Sequence, residues 1–585
     1  MPELNTDALR TRLPAEIARE LDAFRERIVE YLDGIISPDE FKACRLQLGL
    51  YGIRGLRDKQ MLRIKVPAGQ LTADQLDQVA CAARDYATGR AHVTTRQDLQ
   101  LYEIRIERAP ELLRALAAVG LTSREACGNS VRNVTGCSFA GLCPDELFDA
   151  TPYALAITRH FLRHPDTQQL PRKFKISVSG CTSDCAMAPI HDLGAVAARD
   201  GSNGQTAYGF RLFVGGGLGA APRAADVLEP FTPIALLLPT CEAITRVFNQ
   251  HGERKNRQRA RLKFLLERIG LAEFQRLVFA ERDALLRTPD RFPVLPLPAL
   301  TEASVSGAAE LPHVGASALR RWLATNARPQ RQSGYWVVTV RLPLGDLSVQ
   351  QMHGLAAVSR WCGRGQFIIT PWQDLCLPWV ASEHLERLYD QLAELGLAQA
   401  EAERIQDITA CPGADTCQIG VTSSRGLASV VSELLDRPEY KTEDLAGVRI
   451  KISGCPNSCG QHHIADIGFF GAARSLYGKL VPHYQLLLGG RCRNGEAQFG
   501  QPVVKLPARR VPQAVALLLE YFRQTRQDGE AFAAFVARKG PAPFQALLVP
   551  LIAVQPPGDE PEAYRDWGAT DDFALTGMGK GECAG

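Results

Sequence analysis

The sequence predicts an α+β fold that is internally duplicated: two small ferredoxin-like half-domains, each followed by a larger α/β domain. Three observations carry this. Residues 61–119 read as β-α-β-β-α. The pattern returns 276 residues later, where Val66-Pro-Ala-Gly-Gln-Leu-Thr72 meets Leu342-Pro-Leu-Gly-Asp-Leu-Ser348 and Thr94, Gln97, Asp98, Leu99 and Leu101 meet Thr370, Gln373, Asp374, Leu375 and Leu377. At an offset of 274, Cys137, Cys143, Cys181 and Cys185 then fall on Cys411, Cys417, Cys455 and Cys459.

Taken in order, residues 14–33 have the period of an amphipathic helix, and Ser37-Pro-Asp-Glu40 opens a second short one. Met61 to Val66 alternates like a half-buried strand, stopped by Pro67-Ala-Gly69. Leu71 to Tyr86 is helical in period, with Thr72-Ala-Asp-Gln75 as its capping segment. His92 to Thr95 and Leu99 to Ile104 read as strands, and Ala109 to Val119 as a helix. The expected boundaries are a helical segment at 1–50, half-domains at 51–120 and 332–400, larger domains at 121–291 and 401–552, a linker at 292–331 and a C-terminal tail at 553–585. The linker is Pro/Ala/Ser-rich and the tail Pro/Gly-rich and acidic.

At 585 residues the chain exceeds one ordinary core. A composition 45% hydrophobic and 22% charged is that of a globular protein, and a net charge of +3 gives no nucleic-acid footprint. No apolar run is long enough to span a membrane, and Met1-Pro-Glu-Leu-Asn-Thr has no basic, apolar leader. Sixteen cysteines in such a chain fit a reducing cytoplasm, where paired cysteines are metal ligands more often than disulfides.

The chemistry is carried by Cys411-Pro-Gly-Ala-Asp-Thr-Cys417 and Gly454-Cys-Pro-Asn-Ser-Cys-Gly460. Four thiolates brought together by two tight turns suit an iron–sulfur cluster, while the C-x2-C knuckles usual for zinc are absent. Four unrelated buried thiols are the plainer alternative. Cys44, Cys81, Cys241, Cys362, Cys376, Cys492 and Cys583 fit no metal spacing.

These cysteine motifs resemble the signature of the sirohaem- and iron–sulfur-containing nitrite and sulfite reductases. So do Met61-Leu-Arg63, Arg132-Asn-Val134, Leu170-Pro-Arg-Lys-Phe-Lys175 and Val214-Gly-Gly-Gly217. The resemblance covers nearly the whole chain. It implies six-electron reduction of sulfite to sulfide, or of nitrite to ammonia, at a sirohaem joined by a cysteine thiolate to a [4Fe-4S] cluster. Carried over, Cys411, Cys417, Cys455 and Cys459 hold the cluster, and Cys459 is the bridge. Arg63, Arg132, Lys173 and Lys175 are the implied substrate cations, which suits anions that gain charge as their oxygens depart. Taken singly, each is equally consistent with a solvated strand edge or an ion pair. A lysine at 175 favours dianionic sulfite over nitrite. Sirohaem carries eight carboxylates, for which Arg96, Arg257, Arg261 and Lys263 are candidates; the run 254–263 reads equally as a solvated helix face or a docking surface.

Two further points follow from the resemblance. Tyr51 and Cys127 match positions that are cross-linked in some members. The first cysteine frame is a departure from the best-known members, either a second cluster at Cys137, Cys143, Cys181 and Cys185 or a relic of the duplication. Electrons are expected from a ferredoxin or a flavoprotein subunit, because Val214-Gly-Gly-Gly-Leu-Gly219 marks a turn in the repeat and not a dinucleotide loop. The competing readings are a non-catalytic iron–sulfur carrier, which needs no anion pocket, and a relative acting in cobalamin ring synthesis.

Overall fold

A computed structural model describes residues 13–201, 206–297, 317–579 and 581–582, so Cys583 lies outside the described residues. The duplication is visible in four five-stranded sheets. In the first half-domain the strands Leu50–Ile53, Leu56–Ile64, Leu99–Arg105 and Arg90–Val93 are followed, at the edge, by Asp346–Ser348 from the second half. The second half-domain reciprocates. Its strands Ala327–Pro329, Tyr335–Val340, Leu375–Ala381 and Gln366–Ile369 are completed by Gln70–Thr72 from the first. Leu347 pairs with Ala91, and Leu71 with Phe367. Exchanging edge strands covers an edge on each sheet, and the two half-domains share one core, in which Leu76, Val79, Trp322 and Leu355 are fully buried. The half-domain helices Ala73–Tyr86 and Val349–Cys362 both begin with a capping box, at Thr72 with Gln75 and at Ser348 with Gln351.

Each larger domain has its own core and the same mixed sheet. In the first, Val131–Gly136 and Phe174–Ser179 run parallel, as do Phe174–Ser179 and Leu193–Asp200, and the remaining pairings are antiparallel. In the second, Thr409–Ala410, Ile450–Ser453 and Ile467–Leu476 form the parallel part. Both cysteine frames emerge where the two leading parallel strands end, the carboxyl edge at which α/β sheets place their ligands.

Gln97 and Gln373 lock the halves together. Both adopt positive φ, 56° and 77°. Gln97 Nε2 donates to Ile369 O at 2.7 Å and to Gly136 O at 3.1 Å, and its Oε1 accepts from Gly136 N at 2.8 Å. Gln373 Nε2 donates to Val93 O at 3.0 Å, and its Oε1 accepts from Ala410 N at 2.8 Å.

Two expectations are corrected. The stretch read as linker, 292–331, contains the helix Ser317–Asn326, whose Trp322 is fully buried in the half-domain core, and the edge strand Ala327–Pro329. The Pro/Ala/Ser composition that suggested a linker ends before this helix. The segment read as a loose tail is extended but packed: Val554, Ala563 and Tyr564 are buried with Val481. Further on, the Glu582 carboxylate accepts from Gly52 N at 2.6 Å and from Arg45 Nη1 at 2.9 Å. No helix among the described residues is long and apolar enough to cross a membrane.

Candidate active site

The second cysteine frame is shaped by glycines with no room for a side chain. A Cβ on Gly454 would lie 2.6 Å from Gly413 Cα, and one on Gly460 would lie 2.1 Å from Ile452 O. The turns aim polar hydrogens at sulfur: Gly454 N lies 3.2 Å from Cys411 Sγ and Asn457 Nδ2 lies 3.5 Å from Cys455 Sγ. Such N–H donors stabilise thiolates and tune a cluster they ligate. Cys411 and Cys455 are buried, Cys417 is half-buried and Cys459 is exposed. Burial, and then the neighbouring thiols Cys459 and Cys411, push the Cys455 thiol up to about 12.

Cys459 opens into a cavity of about 870 Å³ between the two halves of the chain. Ten cationic side chains line it against one carboxylate, Asp98. All four sequence-predicted substrate cations are among them, brought in from four separate segments. Arg63 projects from its strand over the Tyr51 ring, 4.9 Å from the centroid. With the Gln100 amide oriented to accept, its oxygen takes Arg63 Nε at 2.9 Å and Nη2 at 2.6 Å. Arg132 is buried and held by main-chain oxygens, donating to Gly128 O at 2.7 Å and Ala126 O at 2.8 Å, with Tyr51 Oη 3.3 Å away. Tyr51 Oη itself donates to Ala126 O at 2.8 Å, next to the buried Cys127.

Lys173 and Lys175 flank Phe174 at the start of a central strand, their side chains on the cavity side and Phe174 in the core. Burial holds Lys175 well below the usual lysine range, reinforced by Arg96, Arg261 and Lys173 and opposed by Cys459. A lysine so placed can give up its proton, which arginine effectively cannot.

Of the cofactor candidates, Arg96 lines the cavity and donates to Asn133 O, to the His191 ring and to Thr135 Oγ1 at 3.3 Å. Burial lowers it to about 10, still charged at neutral pH. His191 Nδ1 lies 2.8 Å from Met187 O. The ring therefore donates there and turns a bare Nε2 to Arg96, consistent with a pKa driven well below the usual value by burial and by Arg96. Arg261 grips the fully buried Asp192, Nε to Oδ1 at 3.0 Å and Nη2 to Oδ2 at 2.8 Å, and Asp192 also accepts Lys175 N at 2.8 Å. Arg257 is exposed at the rim. Lys263 differs from its sequence reading: its ammonium is directed at Leu218 O, 3.1 Å away, and at Ala221 O, so it fastens the glycine-rich loop.

Sequence reasoning missed four wall residues. Arg172 and Arg259 stand beside predicted cations in runs where several basic residues compete for the assignment. His191 adjoins the repeated Asp192, a signal that was available. Thr95 reaches across the halves through a contact no sequence pattern marks: its Oγ1 donates to Cys459 O at 2.9 Å.

The donor set fits a cluster beside a polycarboxylate macrocycle. Four thiols come from two turns, one of them opening into a large cavity whose walls are overwhelmingly cationic.

Comparison with known proteins gives the same outline. The family described as "Nitrite and sulphite reductase 4Fe-4S domain" matches residues 127–284 and 401–551. The "Nitrite/Sulfite reductase ferredoxin-like half domain" matches 54–119 and 328–395. The chain is 30% identical over 549 residues to an assimilatory ferredoxin-dependent nitrite reductase of Haloferax mediterranei, covering 89% of each chain. It is 30% identical over 483 residues to a sulfite reductase [ferredoxin] of Mycobacterium tuberculosis, covering 82% of each. Among solved structures, the Mycobacterium tuberculosis NirA protein superposes with a TM-score of 0.74 at 27% identity, covering 87% of this chain and 92% of that one.

Proposed function

We propose, from the premise that this chain belongs to the nitrite and sulfite reductase family, that it reduces sulfite to sulfide with electrons from a ferredoxin. As a member of that family it is an oxidoreductase, and its cofactors are sirohaem and a [4Fe-4S] cluster. The observation that carries the reading is the cavity of about 870 Å³, with ten cations and one carboxylate, into which Cys459 opens. Sirohaem supplies an iron at which a small oxyanion is reduced, with the cluster as an adjoining electron store.

The chain's own residues have distinct parts in this reading. Cys411, Cys417, Cys455 and Cys459 ligate the cluster, and Cys459 is the shared thiolate. Arg96, Arg261 and, from the rim, Arg257 offset the cofactor's carboxylates, while Lys263 holds the loop at residues 217–221 in place. Arg63 and Arg132, clamped by Gln100 and by main-chain oxygens, present guanidinium groups in fixed orientations to the substrate. Lys173 adds charge, and Lys175 is the proton donor as oxygen leaves as water.

Sulfite is preferred over nitrite because two lysines with two arginines suit a dianion with three oxygens. Nitrite is the second reading, favoured by the 30% identity to a nitrite reductase over 549 residues. Anaerobic steady-state assays with reduced ferredoxin test the choice. The expected result is a higher kcat/KM for sulfite, with sulfide as product; a higher value for nitrite reverses the assignment. Sirohaem-loaded protein that turns over neither substrate would favour an electron carrier.

A further inference from the structure

The first half of the duplication keeps more than four cysteines. Its loops keep the hydrogen-bonded frame of the second half, bond for bond at an offset of 274 residues. Cys137 N donates to Val178 O at 3.2 Å, and Cys411 N donates to Ile452 O at 3.2 Å. Cys143 N reaches Phe139 O at 2.8 Å, as Cys417 N reaches Gly413 O at 3.0 Å. Leu147 N donates to Gly180 O at 2.8 Å, and Val421 N to Gly454 O at 2.7 Å. Ser179 Oγ accepts from Ala186 N at 3.2 Å, and Ser453 Oγ from Gly460 N at 3.1 Å.

The loops also share two left-handed non-glycine residues. Asp184 and Met187 have φ of 53° and 58°, and their counterparts Ser458 and Gln461 have 58° and 63°. Left-handed backbone at ordinary residues persists where the surrounding structure demands it. The four thiols of the first frame are gathered: Cys185 is hydrogen-bonded to Cys137 and to Cys181, and Cys143 interacts with Cys181. Phe139, Leu142, Trp372 and Trp379 pack around them.

We infer that Cys137, Cys143, Cys181 and Cys185 ligate a second [4Fe-4S] cluster, one that carries electrons and holds no haem. The step to a cubane rests on the assignment of the second frame to a [4Fe-4S] cluster, whose loop geometry the first frame repeats. A single zinc ion fits less well. Tetrahedral thiolates about 2.3 Å from zinc lie about 3.8 Å apart, whereas among the described residues the one group with three ligand atoms within 4.8 Å of one another is His160, His164 and Glu242. A haem is disfavoured by the replacement of the cavity's cations at matching positions. Arg63, Arg132 and Lys173 correspond to Thr339, Gln406 and Gly447, and Arg96 corresponds to Trp372; only Lys175 meets another cation, Arg449. The second cluster would therefore be a one-electron store, buried between the first α/β domain and the second half-domain. That interface is fastened by Arg331 N on Leu142 O at 2.6 Å and Gln332 Nε2 on Gly141 O at 2.9 Å.

The test uses full-length holoenzyme purified without oxygen, with sirohaem, non-haem iron, acid-labile sulfide and zinc counted per chain. Two clusters give about eight sulfides per chain, and Cys137→Ser with Cys181→Ser lowers this to about four while the sirohaem band remains. About four sulfides in the parent, an unchanged count in the double variant, or one zinc per chain lost in that variant would overturn the inference. If the variant does not fold, Mössbauer spectra of the iron-enriched parent decide: a cubane uncoupled from haem iron is expected, and its absence overturns the inference. About eight sulfides without any sirohaem would sink the catalytic reading and leave this one standing.

Discussion

Thr95 Oγ1 donates to the carbonyl oxygen of Cys459 at 2.9 Å, so a loop of the first half-domain fixes the backbone that carries the exposed thiol of the second α/β domain. Neither half of the duplication holds the site alone. The cations come from the first half and the thiols from the second. The bond is a modest one, worth about 0.5–1.5 kcal/mol. Thr95→Val is expected to slow turnover by up to about tenfold and to leave cluster sulfide unchanged. Parent-level turnover in that variant would show that the bond does not position Cys459.

Lys175 sits among Arg96, Arg261 and Lys173 on the cavity wall. Lys175→Asn should reduce kcat/KM for sulfite more than for nitrite, because the lost charge matters more to a dianion. Equal losses for the two substrates would mean that the residue does not select between them.

Arg132 is fixed by donation to Gly128 O and Ala126 O, a forked arrangement lysine cannot copy. Arg132→Lys is expected to lower kcat by about 10²-fold, the scale of losing one oriented donor to developing charge, with sirohaem content unchanged. Full activity would remove it from the substrate contacts.

The duplication, both cysteine frames and the cation quartet were legible in the sequence because each is a local spacing or a long ungapped repeat. The strand exchange was not. Gln70–Thr72 and Asp346–Ser348 are three-residue strands, too short for alternation to register, and their pairing partner lies some 275 residues away. Lys263 shows a different limit: a lysine in a basic run has the same sequence signature whether it meets a cofactor carboxylate or, as here, carbonyl oxygens of residues 217–221. The identity of Gln97 with Gln373 was visible, but its meaning as a reciprocal staple came only with the packing.

That staple can be tested. Gln97→Ala leaves the buried Gly136 N–H without its side-chain acceptor and removes the bond to Ile369 O. A destabilisation of about 1–3 kcal/mol is expected, read as a lower thermal midpoint, and Gln373→Ala should behave alike. An unchanged midpoint for both would rule out the interlock.

Glu242 gives a pH signature remote from the cavity. Burial alone would raise its pKa, but hydrogen bonds from His160 and Arg291 outweigh this and hold the carboxyl at about 2. A depressed folded-state pKa stabilises the protein fully above the unfolded value of about 4.3, and the contribution is lost as pH falls through about 2. Glu242→Gln is expected to lower the urea midpoint at neutral pH and to flatten its decline between these values. A variant with the parent's acid profile would exclude the contribution.

The central claim is that the thiol opening into the cavity couples an electron store to the reducing centre. It is tested most directly by sulfite- and nitrite-dependent oxidation of reduced ferredoxin with Cys459→Ser beside the parent. Turnover of both substrates should fall to background while the protein remains folded; turnover at the parent's rate would contradict the bridging role of Cys459 and, with it, this account of the site.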